Sequence, residues 1–295
     1  MKNNYLLITP CKDEEKSLNK LFESVINQKI RPVLWVIIND GSKDNSRKII
    51  ESFSKNHDWI YLLDIESNKP RDSFFHYSFV CIEGFNYAID IAKNKLINYE
   101  FIGLTDADII LENSVFEKLI DELIKNAKLG LVSGGIYYEL SGELELEHNK
   151  ELFGTPRLWK KNCFFQTGGY QLTHTPDIVS NIKCLMNGWM TKQVKDAIAI
   201  QTRKTFSAEG LWKGWKNNGF ANYKIGFHPI FSLIKSIKYC FVKPYYIGIA
   251  YFIGYSSAFF TSRSRINDKE VIYYNSKIRL KREWRRLLKK KGLLK

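Results

Sequence analysis

Asp106 and Asp108 stand one residue apart in the run Gly103-Leu104-Thr105-Asp106-Ala107-Asp108, directly after an apolar stretch. If Phe101 to Leu104 is a strand of a parallel sheet, both carboxylates sit where that strand ends. They then face the crevice beyond the sheet edge, where open α/β sheets bind their ligands. A pair of hard oxygen donors suits Mg2+ or Mn2+, which takes one or two carboxylates together with substrate phosphates. The same spacing also occurs in solvated turns and helix caps, so spacing alone leaves both readings open.

Two further groups share that position. Asn39-Asp40-Gly41-Ser42 follows the apolar run Val33 to Ile38. Asp40 there can accept a hydrogen bond from a nucleobase, while Gly41 and Ser42 are also ordinary turn and capping residues. Thr9-Pro10-Cys11-Lys12-Asp13-Glu14-Glu15 follows the first apolar run. Its acids suit a ligand loop, or a helix N-terminus favoured by the dipole. All three groups come after strand-like segments, so a parallel sheet would bring them to one edge.

The elements that must position them are read from periodicity. Strands are expected at Tyr5 to Thr9, Val33 to Ile38, Ile60 to Asp64 and Phe101 to Leu104. Helical patterns lie between them, from Glu15 to Asn27, Asn45 to Phe53, Phe79 to Lys93 and Ser114 to Asn126, with Leu18, Leu21, Phe22, Val25 and Ile26 on one face of the first. That alternation predicts an α/β fold with a mostly parallel sheet flanked by helices. From Leu131 to Tyr170 the pattern loosens around Gly134, Gly135, Gly168 and Gly169, with an acidic patch from Glu143 to Glu151 that suits an acceptor side. A helix is expected from Pro176 to Asn187, stopping at Gly188, and a strand from Lys195 to Ile200.

The formal charge of +14 is confined to one end, since residues 224–295 hold 17 Lys and Arg against 3 Asp and Glu, and the remainder is balanced. With 44% apolar and 14% aromatic residues the chain is not disordered. A neutral body with a basic, aromatic-rich end points to an anionic phospholipid surface, and nucleic acid is not expected because no nucleic-acid-binding motif accompanies the charge. The uncharged run Pro244 to Ser262, with two glycines, several serines and four tyrosines, favours a helix at an interface or packed on protein over a membrane span. Beyond it, Tyr273, Leu280, Trp284 and Leu287 form one helical stripe of a basic amphipathic helix. Five scattered cysteines and the absence of a sufficient apolar signal centre predict a cytoplasmic protein, peripheral at the inner face of the cell membrane.

In their order along the chain these motifs resemble the inverting glycosyltransferases of family 2, which have the GT-A, Rossmann-like fold. The resemblance covers about residues 4–205. It implies a metal-dependent transferase that moves a sugar from a nucleoside-diphosphate donor to a hydroxyl, and the basic, membrane-proximal end adds the expectation of a lipid-linked or surface-glycan acceptor as partner. The family's first loop, Pro-x-x-Asn-Glu, matches Pro10 to Glu14 with Asp13 in place of Asn, and its Asp-Gly-Ser matches Asp40, Gly41 and Ser42. The resemblance thus assigns Thr9, Pro10, Asp13, Glu14, Asp40, Gly41 and Ser42 to the donor. Gly84-Phe85-Asn86 stands near the family's Ala-Arg-Asn segment, giving Asn86 a donor contact; the missing arginine leaves Arg71 or Asp72 as substitutes. Asp106 is implied beside ribose and metal, and Asp108 on a Mn2+ or Mg2+ ion that bridges the phosphates.

The family's base follows a Gly-Gly-Phe segment, here Gly168-Gly169-Tyr170, in a Glu-Asp pair, here Pro176-Asp177. Asp177 is therefore the implied catalytic base, although Thr175-Pro176-Asp177 is equally a good helix start; Glu139 and Glu151 are weaker alternatives. Arg203 and Lys204 are implied near the diphosphate. His228 is a candidate to complete the metal shell, against a packing or turn role. Trp159, Trp212 and Trp215 are flat faces for an acceptor sugar, or core. The expected division is a catalytic domain at 1–223 and a basic, membrane-proximal helical extension at 224–295. A nucleotidyltransferase, or a dinucleotide-binding oxidoreductase, would need a glycine-rich loop that Thr9 to Glu15 lacks. A catalytically inactive membrane- or nucleic-acid-binding scaffold is the remaining rival, and the pair Asp106 and Asp108 speaks against it.

Overall fold

The computed structural model describes residues 3–65, 74–140, 143–146, 152, 154–201, 210–282 and 285, with only the backbone at positions 74, 139, 140 and 143. Arg71, Asp72, Glu151, Arg203, Lys204, Trp284, Leu287 and the side chain of Glu139 lie outside the described residues. The chain divides into two compact units, Met1–Leu172 with Pro176–Arg203, and Thr173–Thr175 with Lys204–Lys295.

The first unit begins with β1 (Tyr5–Cys11), α1 (Glu15–Ile26), β2 (Leu34–Asp40), α2 (Ser46–Asn56) and β3 (Ile60–Ile65). It continues with α3 (Phe74–Asn94), β4 (Phe101–Leu104), β5 (Ile109–Leu111), α4 (Val115–Lys125), β6 (Leu129–Leu140) and β7 (Glu143–Leu146). It closes with β8 (Arg157–Lys160), α5 (Lys161–Gln166), α6 (Pro176–Met186) and β9 (Met190–Gln201). The strand order is β3-β2-β1-β4-β8-β6-β9-β5, with β7 paired to β6. From β3 to β4 all pairs are parallel; β8 is antiparallel to both its neighbours. The fold is thus the expected α/β class, a mostly parallel sheet flanked by helices.

The continuous apolar runs of β1 and β2 follow from burial on both faces. Tyr5, Leu7, Trp35 and Ile37 point to one layer, with Leu18, Leu21, Phe22 and Val25 of α1 and Phe116, Leu119 and Ile120 of α4. Leu6, Ile8, Val36 and Ile38 point to the other, with Val80, Cys81 and Phe85 of α3 and Phe164 of α5. Gly84 lets α3 lie close on the sheet, because a Cβ there would meet Ile38 Cδ1 at 2.5 Å. The chain steps outward from β1 to β3 and returns to place β4 on the other side of β1. This reversal opens a crevice at the carboxyl ends of β1 and β4.

Residues 131–170, read from sequence as irregular, hold the end of β6, together with β7, β8 and α5. The strand expected at Lys195 to Ile200 begins at Met190, and its exposed and half-buried alternation hides it from an apolar-run reading.

The second unit contains α7 (Leu211–Lys224), α8 (Pro229–Tyr239), α9 (Ile247–Phe260), α10 (Lys269–Tyr273) and a π-helical turn, Tyr274–Ile278. The boundary at Lys204 differs from the expected one at residue 224, which followed the charge. Packing sets it instead: α7 crosses α9 so closely that a Cβ on Gly219 would fall on the Tyr251 carbonyl, and one on Gly254 on the Lys216 carbonyl. Asn222 Nδ2 donates to Tyr251 Oη at 2.9 Å in the same contact. The expected stripe is also corrected. Tyr273 is exposed, while Tyr274, Asn275 and Arg279 are buried, so the buried face starts one residue after the expected stripe, and the wide π turn Tyr274–Ile278 carries it on to Arg279. Arg279, expected on the solvated basic face, lies over the Phe227 ring at 4.7 Å and donates to Asn275 Oδ1 at 2.9 Å.

Candidate active site

At the carboxyl edge of the first unit's sheet, the loops after β1 and β2 are stitched together. Asp13 N donates to Ser42 Oγ at 3.1 Å, and Asp13 Oδ1 accepts from Lys43 N at 2.7 Å. Glu14 N donates to Ser46 Oγ at 2.8 Å and Glu15 N to Asp44 Oδ2 at 3.0 Å. These bonds hold Asp13 at φ 54° and Gly41 at φ 60°, left-handed backbone that is costly for Asp13 and persists because its neighbours fix it. Side chains assigned to the donor from sequence thus first build the loop. Thr9 is fully buried, its Oγ1 accepting from Trp35 Nε1 at 2.9 Å. Glu14 is buried against Ser17 Oγ at 3.2 Å.

Asp40 is nearly buried and held from two sides. His76 Nε2 lies 2.8 and 3.0 Å from its two oxygens, and Lys12 Nζ lies 3.3 Å from Oδ2. His76, on the first turn of α3, had no sequence signal tying it to Asp40. Asn86 is exposed, ten residues further along α3 and so about 15 Å away at 1.5 Å per residue. The described residues give it no contact with the edge, and His76 and Tyr77 are the α3 side chains found there.

Asp106 lies between Tyr77 Oη, which donates to Oδ1 at 2.7 Å, and Thr155 Oγ1, which donates to Oδ2 at 2.8 Å. Burial, and then the neighbouring Asp108 carboxylate, push Asp106 up to about 7. Asp108 is itself buried. Tyr77 is held well above its ordinary value by burial, then by Asp106 and more weakly by its neighbours including Asp177. Its hydroxyl therefore stays protonated and donates.

Asp177, in the first turn of α6, belongs to the same assembly. Its Oδ1 takes Arg157 Nη1 at 2.7 Å and Tyr170 Oη at 3.2 Å. Its Oδ2 has no partner among the described residues. Arg157 is fully buried, lies over Trp159 at 5.3 Å and also donates to Asn181 Oδ1. Trp159 is therefore core and offers no face to a sugar. Thr155 and Arg157 were missed from sequence, and Tyr170 was read only as part of the Gly168-Gly169-Tyr170 segment.

The pair Asp106 and Asp108 fits a divalent cation. Both donors are oxygens, and their mutual repulsion, visible in the raised Asp106, is what a cation offsets. Among the described residues no three His, Cys, Asp or Glu side chains form a complete metal site, so the remaining ligands would be phosphate oxygens. His228, in the second unit, uses Nδ1 to accept from Ile230 N at 3.3 Å and caps α8.

Comparison with known proteins identifies the family and the fold. A family model described as glycosyl transferase family 2 matches residues 6–183. Poly-beta-1,6-N-acetyl-D-glucosamine synthase of Staphylococcus epidermidis is 31% identical over 124 residues, which is 42% of this chain and 26% of that protein. The synthase of Staphylococcus aureus strain COL is 26% identical over the same shares. The match thus spans about a quarter of the length of these curated relatives. Among solved structures, S. aureus TarS 1-349 in complex with UDP covers 82% of this chain and 74% of its own, with TM-score 0.52 and 12% identity. Mannosyltransferase PcManGT from Pyrobaculum calidifontis, in complex with GDP-Man and Mn2+, covers 89% and 76%, also with TM-score 0.52 and 12% identity. These likenesses show the fold, which is of the GT-A type. With more than half of its length matched by the family's model, and Asp40, Asp106 and Asp177 gathered in the unit that carries the match, the chain belongs to glycosyltransferase family 2.

Proposed function

We propose that the protein transfers a sugar from a nucleoside-diphosphate donor to a hydroxyl of a lipid-linked or surface-glycan acceptor, with inversion at the anomeric carbon. The observation that carries this reading is the hydrogen-bonded assembly at one sheet edge, in which Tyr77 holds Asp106, and Tyr170 and Arg157 hold Asp177. Asp40, Gly41 and the loop at Asp13 receive the nucleoside, Asp106 the ribose side, and Asp106 with Asp108 a Mn2+ or Mg2+ ion. When bound, that ion supplies Lewis-acid neutralisation of the leaving diphosphate.

Asp177 acts as the base. Its Oδ1 is fixed by Arg157 and Tyr170, which keeps Oδ2 oriented to take the acceptor hydroxyl's proton as that oxygen attacks opposite the leaving group. Arg203 belongs to this reading as a further donor contact. A glycan acceptor is favoured by the similarity to poly-beta-1,6-N-acetyl-D-glucosamine synthase. The basic residues 224–295 favour work at the inner face of the cell membrane.

Calorimetric titration with UDP, GDP and dTDP, with and without Mn2+, tests the donor site. Metal-dependent binding of one nucleotide by the native protein, lost in Asp108→Ala, is the expected result. No binding of any nucleotide by a folded native protein would overturn the reading.

A further inference from the structure

In the second unit α8 is built inside out. Its buried positions are Ser232 and Ser236, and Ser236 Oγ donates to the Gly248 carbonyl of α9 at 2.8 Å. Its large exposed apolar side chains are Ile230, Leu233, Ile234 and Ile237, a spacing that keeps them on one face. The face continues past the helix end into Phe241, 81% exposed. On α9, small and aromatic residues such as Gly248, Ala250, Tyr251 and Gly254 are buried. Ile249, Phe252, Ile253 and Phe260 point outward. Scattered exposed apolar residues are normal, but two adjoining helices with outward apolar stripes are an interaction surface.

We propose that the outward faces of α8 and α9 lie in the interfacial layer of an anionic phospholipid bilayer. Charge selects this occupant. Between Lys224 and Asp268 the sequence holds no Asp or Glu, while Lys238, Lys243, Arg263 and Arg265 are exposed around the stripes. Anionic headgroups complement that ring, and long basic side chains reach them while their stems lie along apolar surface. A second copy of this chain on the same face would bring like charges together. Tyr245 and Tyr246, also exposed, are the residues a membrane interface favours.

The geometry is that of a surface helix pair. At 1.5 Å per residue the 14 residues of α9 extend about 21 Å, short of the about 30 Å hydrocarbon core. Among the described residues no helix is long and apolar enough to cross a membrane. The inference is independent of the transfer chemistry, and it differs from attachment by the basic C-terminal residues alone, which would need no apolar stripe.

Flotation of the full chain with phosphatidylglycerol/phosphatidylcholine vesicles tests it. The native protein is expected to float, and to retain part of its binding at high salt, because apolar insertion is not screened. Ile234→Asp with Ile237→Asp is expected to weaken partition about tenfold or more, with an unchanged circular dichroism melt. In Phe241→Trp, tryptophan emission should shift to the blue on vesicle addition. The proposal is overturned if the native protein does not float. It is equally overturned if the double variant floats as well as the native protein while Lys289→Gln with Lys290→Gln does not, which would assign binding to the basic tail. A native dimer that the double variant dissolves, without vesicle binding, would give the face to a second copy.

Discussion

In the first unit α1 turns Leu18, Leu21, Phe22 and Val25 to the sheet and leaves its charges outside; in the second, α8 turns Ser232 and Ser236 inward and leaves Leu233, Ile234 and Ile237 outside. The first arrangement is complete in water, because its apolar stripe is covered by the chain itself. The second leaves its apolar stripe uncovered by the described residues of the chain. Buried polar groups divide the same way. In the first unit a set of them gathers at one edge, around the carboxylates of Asp40, Asp106 and Asp177, each held by named donors. In the second they are spread along helix contacts, as at Asn222, Ser236 and Asn275. Concentrated, oriented charge is what catalysis requires, whereas dispersed single hydrogen bonds fix helix register. The proposed chemistry therefore falls to the first unit and the proposed attachment to the second.

The contrast breaks most visibly if chemistry is removed from the first unit alone. Asp177→Asn is expected to lower kcat by about 100- to 10,000-fold, the usual contribution of a positioned base, while nucleotide affinity holds. Single-turnover transfer beside calorimetric nucleotide binding measures both. Equal loss of binding and turnover would make Asp177 a structural partner of Arg157 instead. Next in size is the ion pair itself. Arg157→Met leaves the Asp177 carboxylate without its cation, and should cost about 3–5 kcal/mol in urea unfolding. If Arg157→Met with Asp177→Asn costs less than the sum of the two single changes, the pair acts as one unit.

Stability of the second unit depends on close backbone approach in place of paired charge. Gly219→Ala places a methyl on the Tyr251 carbonyl. Overpacking there should destabilise by about 3 kcal/mol even after the roughly 1 kcal/mol that alanine gains in a helix. The expected readout is an earlier thermal transition with nucleotide binding at lower temperature preserved. Loss of nucleotide binding along with it would mean that the two units do not unfold separately.

The sequence exposed these regions unevenly, for physical reasons. β1 to β4 and their helices were legible because strands buried on both faces are uninterrupted apolar runs, and Asp40, Asp106 and Asp108 were legible because each follows such a run. β6 and the first half of β9 were not, since β6 carries Gly130, Gly134 and Gly135 with a register shift at the last two, and β9 opens on alternating exposed and half-buried residues. His76, Tyr77, Thr155, Arg157 and Tyr170 reach the acids from distant parts of the chain. No local spacing encodes such meetings. Conversely, the charge map divided the chain at residue 224 because it counts lysines and arginines, whereas Gly219 and Gly254 bind α7 to α9 without any charge.

The smallest expected effect isolates the strain stored at the first unit's edge. Asp106 ionises near 3.8 in an unfolded chain, and burial with the adjacent Asp108 raises it to about 7 in the folded protein. A raised carboxyl binds its proton more tightly when folded, so the stability it contributes is full below about pH 4 and is lost as the pH climbs through 7. In metal-free buffer the native protein should therefore lose stability across that window. Asp106→Asn keeps an acceptor for Tyr77 but cannot ionise, so the variant should be more stable than the native protein at pH 8, with the gap closing toward pH 4. Urea midpoints at several pH values measure the gap. A constant difference across the window would mean that the two acids do not repel one another and that the edge stores no charge strain for a cation to relieve.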